Sequence, residues 1–307
     1  DIQWSALAEL SWQCDRDGAD VRLRSAPPIG VLDLRALIEL DGSWSTNEFQ
    51  VQTETFSART PAEAFFDNEL LSAVARSDLD QEGAVYWFDN VRSLGFTISE
   101  ERIALVGPSG ASVNMDFGTP AVEVLGDYAT LVGLDANMLS GTTPAIATFS
   151  FNAVSYPSAL DLSATAPSGL SNPSGLNLQD TQFAYVSEVS VSGGNVGILS
   201  FGSNTQDVYV GNFSVRDAVA GASAFAKGVR YENGTIQEIQ EIGLNVGGVL
   251  TNGVFRDLQI ADCGAKAVSA TSGTSTNVQF IGIRASNNLS SLEPLMEFRR
   301  FESSRFI

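Results

Sequence analysis

A chain of 307 residues with 44% hydrophobic and 17% charged side chains carries enough apolar material for a substantial core. Its formal net charge is −19 and its cations are arginines apart from Lys227 and Lys266, which argues against a nucleic-acid backbone as a partner. It has no histidine, and its two cysteines, Cys14 and Cys263, lie far apart, so Ser-His-Asp and Cys-His mechanisms and a disulfide framework are excluded.

In chain order, the first third holds all four tryptophans, Trp4, Trp12, Trp44 and Trp87. "GVLDLRALIELDGSW" and "EFQVQTETFSA" read as strands around an Asp-Gly turn. "TPAEAFFDNELLSAVARS", residues 60–77, reads as a helix. Thr60 would be its N-cap, Pro61 its first helical residue and Glu63 an acid in its first turn, with Phe65, Leu70, Leu71 and Val74 at helical spacing. "DLDQEG" (78–83) has a partial calcium-loop pattern, so Ca²⁺ is the one cofactor the sequence suggests; the alternative is a solvated turn. The opening residues show no signal-peptide pattern. No apolar run reaches the ~18–20 residues of a membrane-spanning helix.

From about residue 84 the chain becomes short strands separated by Gly, Ser, Asn and Asp, and it stays so to about 288. The strand centres Val189, Phe213, Ile236, Leu258 and Ile281 are spaced by 22–24 residues. Val191, Val215, Ile260 and Ile283 follow two places on, with Ile239 shifted by one. "SALDLSA" (158–164) fits the series if 166–175 is an inserted loop. That period is too short for propeller blades or helical hairpins, and the framework of leucine-rich repeats is missing. The expectation is an all-β fold, a single-stranded parallel β-helix (β-solenoid) of about eight turns and roughly 40 Å. Residues 1–83 would form a mixed strand and helix capping or attachment region, 84–288 the coil, and 289–307 a cap or docking tail with apolar residues near helical spacing.

"GAVYWFDNVRSLGFTISEERIALVGPSG" resembles the entry turn of right-handed parallel β-helices, and "NVQFIGIRASNN" resembles their repeating turns. The resemblance is to the pectate-lyase-like superfamily, most of all to bacteriophage tailspike and fibre proteins. It implies a right-handed coil, a homotrimer and polysaccharide as ligand, but no catalytic motif of the family is matched.

Carboxylates are the acid–base groups in supply, and glycoside hydrolysis needs two of them ~5–9.5 Å apart. Residues one turn apart in a solenoid stand ~4.8 Å from each other, so acids in neighbouring turns can pair. The candidates are Asp217 with Glu238 or Glu241, Asp257 or Asp262 with those glutamates, and Asp180 with Asp207. Against each stands the ordinary role of an acid on a solvated face. Tyr185 and Tyr209, 24 residues apart, are candidates for stacking on sugar rings. The parity of Tyr185 with Val189 favours the interior for them, provided no corner intervenes. Cys14 and Cys263 are expected to be buried free thiols.

The preferred function is a virion structural protein, a β-helical spike or fibre component contacting other virion proteins, with a host surface glycan as the candidate ligand. The alternatives are a polysaccharide hydrolase or lyase of the same fold, and a bacterial surface adhesin. The loop 166–175 is the binding candidate among the loops.

Overall fold

The computed structural model describes residues 2–4, 10–12, 23–24 and 64–65. From 77 to 306 it describes all but 81, 88–90, 93–94, 108–110, 116–118, 139–146, 168–172, 249, 271–274, 287–294, 300 and 303. The expected strands over 30–58 and residues 168–172 of the inserted loop lie outside the described residues, as does Cys14.

Among the described residues the fold is all-β. Ile2–Trp4 pairs antiparallel with Leu10–Trp12 and parallel with Leu23–Arg24 in a small separate sheet. From Ala64 on the chain is a coil of parallel strands with three walls per turn. First-wall strands begin at Ala104, Thr130, Ser158, Tyr185, Tyr209, Arg230, Val254 and Gln279, and each pairs in parallel with the next. In the middle turns this strand bends and continues as the second wall, as in Thr130–Met138, Ser158–Ala166, Tyr185–Gly193 and Tyr209–Arg216. Later turns divide there, as in Arg230–Glu232 followed by Thr235–Ile239. The third wall is a separate parallel sheet that includes Ala147–Asn152, Ser174–Gln179, Val196–Gln206, Ala220–Lys227, Ile242–Val246 and Lys266–Ala270.

The helix expected over 60–77 is not what its described residues form. Ala64–Phe65 is a strand paired in parallel with Val85 and Tyr86, and Ser77 opens a strand paired with Phe96–Ile98. A ladder of backbone bonds on a neighbouring turn overrides local helix propensity there. The described residues of the C-terminal stretch are likewise extended rather than helical. Met296–Phe298 and Arg305–Phe306 continue the ladders of the third and first walls.

A strand with one face on a closed interior must place apolar residues in register with those above and below. On the first wall the interior column is Leu131–Ala159–Val186–Val210–Tyr231–Phe255–Phe280. On the second it is Ala136–Ala164–Val191–Val215–Ile236–Ile260–Ala285. Each fully buried aliphatic or aromatic side chain contributes about 1.5–3 kcal/mol. Tyr231 keeps a polar atom inside. Its hydroxyl donates to Ser200 Oγ (2.9 Å) and lies 3.0 Å from the Ser223 carbonyl, both on the third wall, and this ties two walls across the core.

The step from turn to turn is less regular than 22–24. It ranges from 21 residues, Tyr209 to Arg230, to 28, Thr130 to Ser158. The expected column Val189–Phe213–Ile236–Leu258–Ile281 therefore holds only for its first step. Past the 21-residue turn Ile236 stacks on Val215, and Phe213 lies over Gly234, where a Cβ would overlap its ring. An error of two residues leaves a period-2 pattern intact, so apolar residues still line up in the wrong series.

Cys263 is free and buried, beside Ile239 of the preceding turn. Burial pushes its thiol up to about 11, with a backbone contact from Gly243 working against this and the Asp262 charge adding to it. Iodoacetamide at pH 8 is expected to label the Cys263 peptide slowly in native protein and quickly in denaturant, because the thiolate is the nucleophile. Equal rates, read by peptide mass mapping, would show that this turn is open.

Candidate functional site

Every non-glycine residue with positive φ among the described residues belongs to one of four columns at the bends of the coil. The left-handed conformation costs an L-residue energy unless it is Gly, Asn or Asp. Repeating it in each turn turns the chain at the same place and lets strands on either side stay in register.

The first column lies between the first and second walls and runs Gly133, Asp161, Glu188, Asn212, Asn233, Asp257, Gly282. A second, between the second and third walls, runs Gly193, Asp217, Glu238, Asp262. A short third column holds Ala153, Asp180 and Gly202. The fourth, after the third wall, runs Gly83, Arg102, Tyr128, Tyr156, Phe183, Asp207, Gly228, Asn252, Asn277. Its register is set by the backbone. The N–H of each residue donates to the carbonyl just before its counterpart one turn on, from Tyr128 N to Ser155 O (2.9 Å), Tyr156 N to Gln182 O (2.8 Å) and Phe183 N to Gln206 O (3.0 Å) through to Asn252 N to Thr276 O (3.1 Å).

These columns sort the sequence candidates. Asp217, Glu238 and Asp262 do stand in successive turns of one column at the surface of the coil, and Arg216 Nε lies 3.9 Å from Asp217. Glu241 is three residues past Glu238 on the same corner, where its carbonyl accepts from Ala265 and Lys266 N–H. Asp257 is on the far edge of the second wall. Five residues of extended chain, about 16 Å, separate it from Asp262, beyond the reach of a carboxylate pair. Asp180 and Asp207 are not stacked. Asp180 faces Gly202 and accepts from Asn204 N–H (3.0 Å), whereas Asp207 follows Phe183 in the fourth column. No group of three or more His, Cys, Asp or Glu placed to hold a metal occurs among the described residues.

Tyr185 and Tyr209 stack with ring centroids 5.1 Å apart and planes 1° from parallel. They lie on the side of the first wall opposite Val186 and Val210, which face inward. Yet Tyr185 is buried and Tyr209 half-buried, so the pair offers no open face for a sugar ring. The bend at Glu188 is the corner that breaks parity with Val189.

Between the first two columns the outer face of the second wall is polar and mostly uncharged. Ser214 Oγ donates to Ser190 Oγ (3.1 Å), and Asn137 Nδ2 to Asn114 Oδ1 (2.8 Å). Asp135 belongs to this face. Burial holds its carboxyl above the ordinary range, the Ser163 hydroxyl opposes this, and the Asp161 charge adds to it.

The fourth column contains what the sequence reading missed. Tyr128 and Tyr156 stack at 5.1 Å and 6°, Tyr156 and Phe183 at 4.8 Å and 11°. The Arg102 guanidinium covers Tyr128 at 5.3 Å from the ring centroid and pairs with Glu82 at 2.7 Å. Left-handed backbone costs on the order of 1–3 kcal/mol at each of the three aromatic positions. Two stacked pairs return about 0.5–1.5 kcal/mol each, and an exposed cation–π contact about 0.5–1 kcal/mol. Stacking therefore offsets only part of the strain. The signal was available: each column residue stands two places before a first-wall strand, as in "YAT", "YPS", "FAY", "DVY", "GVR", "NGV" and "NVQ". The 28- and 27-residue steps between the aromatic slots hid it from a 22–24 period.

No protein-family model and no curated protein matches the sequence. Among solved structures, the enzymatically active domain of tailspike protein 2 from bacteriophage CBA120 superposes with a TM-score of 0.52 at 10% identity. The match covers 77% of this chain and 43% of that one. The ORF18 product of Geobacillus virus E2 gives a TM-score of 0.36 at 13% identity over 78% of this chain and 57% of that one. The chain thus spans less than half of the tailspike domain, with which it shares a fold.

Proposed function

We propose that this chain is a β-helical spike or fibre component of a bacteriophage virion, homotrimeric, joined to other virion proteins and making contact with a host surface glycan. The observation that carries the reading is a stiff parallel coil, of the fold found in a tailspike domain, whose exposed bends hold aromatic and carboxylate columns in fixed register. A closed ladder of backbone bonds keeps those side chains apart at a set spacing, which suits a repeating polymer as the partner. No helix among the described residues is long and apolar enough to cross a membrane.

A polysaccharide hydrolase is the second reading. It is favoured by the column Asp217–Glu238–Asp262 and by the fold neighbour, which is an enzymatically active domain. Two carboxylates one turn apart fall within reach of the ~5–5.5 Å used for retention of configuration.

One experiment separates the two. Purified protein is incubated with bacterial O-chain and capsular polysaccharides, and both retention and released reducing ends are measured. Retention without release is expected. Release that disappears in Asp217→Asn or Glu238→Gln would replace the binding role with the enzymatic one. Neither retention nor release on any polymer would remove glycan contact from the assignment.

A further inference from the structure

We propose that the aromatic run of the fourth column ends in a saccharide subsite, with the exposed face of Phe183 as a stacking platform for a neutral pyranose ring. The inference rests on the glycan-contact reading above and gives it a location.

Three observations converge on Phe183. The first is its backbone. Phe183 has φ 54°, in a column where the following turns hold Asp207, Gly228, Asn252 and Asn277, all of them residue types that accept this conformation. Three consecutive aromatics therefore occupy a slot that the chain elsewhere fills with the residues the backbone prefers. Exposed side chains that work against local stability are expected at functional sites.

The second is exposure. Phe183 is 40% exposed, one of few large apolar side chains left open among the described residues. Tyr156 covers one ring face at 4.8 Å, and no aromatic follows in the next turn. Asp207 stands there instead, and its carboxylate leans away from Phe183, over Gly228, where a Cβ would overlap its Oδ1. Gly228 has no side chain to push it back.

The third is the polar surround. Gln206 Nε2 donates to Gln182 Oε1 at 3.4 Å, so two amides lie in the corner one residue before Asp207 and Phe183. Asn204 is exposed on the bulge that follows Phe201, its N–H held by Asp180. An aromatic face flanked by amides and a carboxylate fits a pyranose: its C–H face lies on the ring and its equatorial hydroxyls meet the amides and the Asp207 carboxylate. Asp180 and Asp207, in a chain of net charge −19, disfavour an acidic sugar.

Phe183→Asn tests this, because asparagine suits the left-handed backbone and cannot stack. An array of immobilised neutral and acidic oligosaccharides from bacterial O-chains and capsules would be read alongside thermal unfolding, with Phe183→Tyr as the conservative variant. The expected result is at least a tenfold loss of binding to a neutral glycan in Phe183→Asn, an unchanged or raised Tm, and retained binding in Phe183→Tyr. Unchanged binding in Phe183→Asn, with the parent protein binding, would overturn the subsite and leave the glycan reading standing. A lowered Tm with binding kept would make the column a structural stack. No binding by the parent protein would overturn both.

Discussion

Phe255→Ala is expected to lower stability by about 3–5 kcal/mol, the range for truncating a buried aromatic. Phe255 is fully buried on the first-wall column. Its ring meets Tyr231 edge-on at 5.8 Å and 82°, and stacks on Phe280 at 5.1 Å and 19°. Tyr231, Phe255 and Phe280 are register partners in three successive turns. The cavity could close only if those turns moved together, and the parallel backbone ladder fixes their separation. The upper part of the range is therefore expected. In a solenoid each turn touches only its neighbours, so the loss should appear first as local opening of the C-terminal turns. Thermal unfolding with limited proteolysis reads both effects. A variant that melts with the parent and is cut no faster would mean that the column is not packed as described.

Gly221→Val acts by the opposite mechanism. Gly175, Gly197, Gly221 and Gly243 occupy equivalent corners at the start of the third wall, each beside a buried Val or Ile. A Cβ at Gly221 would overlap Ile236 Cγ2 and the carbonyl oxygen of Gly243. The methyl group could swing aside, but the carbonyl belongs to a turn tied to this one at Ala220–Ile242 and Ala222–Leu244. Overpacking a core typically costs about 1–3 kcal/mol. Two further carbons and a rigid backbone neighbour place this substitution at or above the top of that range. Gly248→Ala is the control. The nearest atom to a Cβ there is 3.8 Å away, and only its φ of 68° opposes a side chain, a cost of about 1–2 kcal/mol. Chemical denaturation should rank Gly221→Val well below Gly248→Ala. The reverse order would show that the glycine corner is open.

The coil was legible because its cause is written locally. A strand such as "YVSEVSVSG" must find a partner, and its nearest likeness is "YVGNFSVR", which is where it pairs. What could not be read was the length of each bend. One short turn moved Ile236 from Phe213 to Val215, and the bend at Glu188 turned Tyr185 to the opposite side of the wall from Val189, though it stays buried. Alternation carries no information about where a chain turns, because both faces of the error look alike. The acid column was partly legible. Asp217, Glu238 and Asp262 keep their register, whereas Asp257 resembles them in type but sits on a different bend. The stretch "TPAEAFF" has the caps and composition of a helix, yet Ala64–Phe65 pairs with a neighbouring turn. The aromatic slot escaped because it is marked by backbone conformation, and Tyr and Phe are not residues from which a left-handed turn is inferred.

The uneven step between turns has a consequence for how the chain finds its structure. Column partners lie roughly 25 residues apart in a chain of 307, a relative contact order of about 0.08, closer to a helical bundle than to a β-sandwich. Assembly can then proceed as templating, with each finished turn serving as the edge on which the next is laid. The hazard of such growth is a skipped rung, since Val186 and Val210 would be equivalent templates for the same strand. Phe213 over Gly234 and the pile from Tyr231 to Phe306 act against it, because a slipped turn would set a ring where no glycine makes room. The irregularities that obscure the repeat are then the marks by which the growing end keeps count.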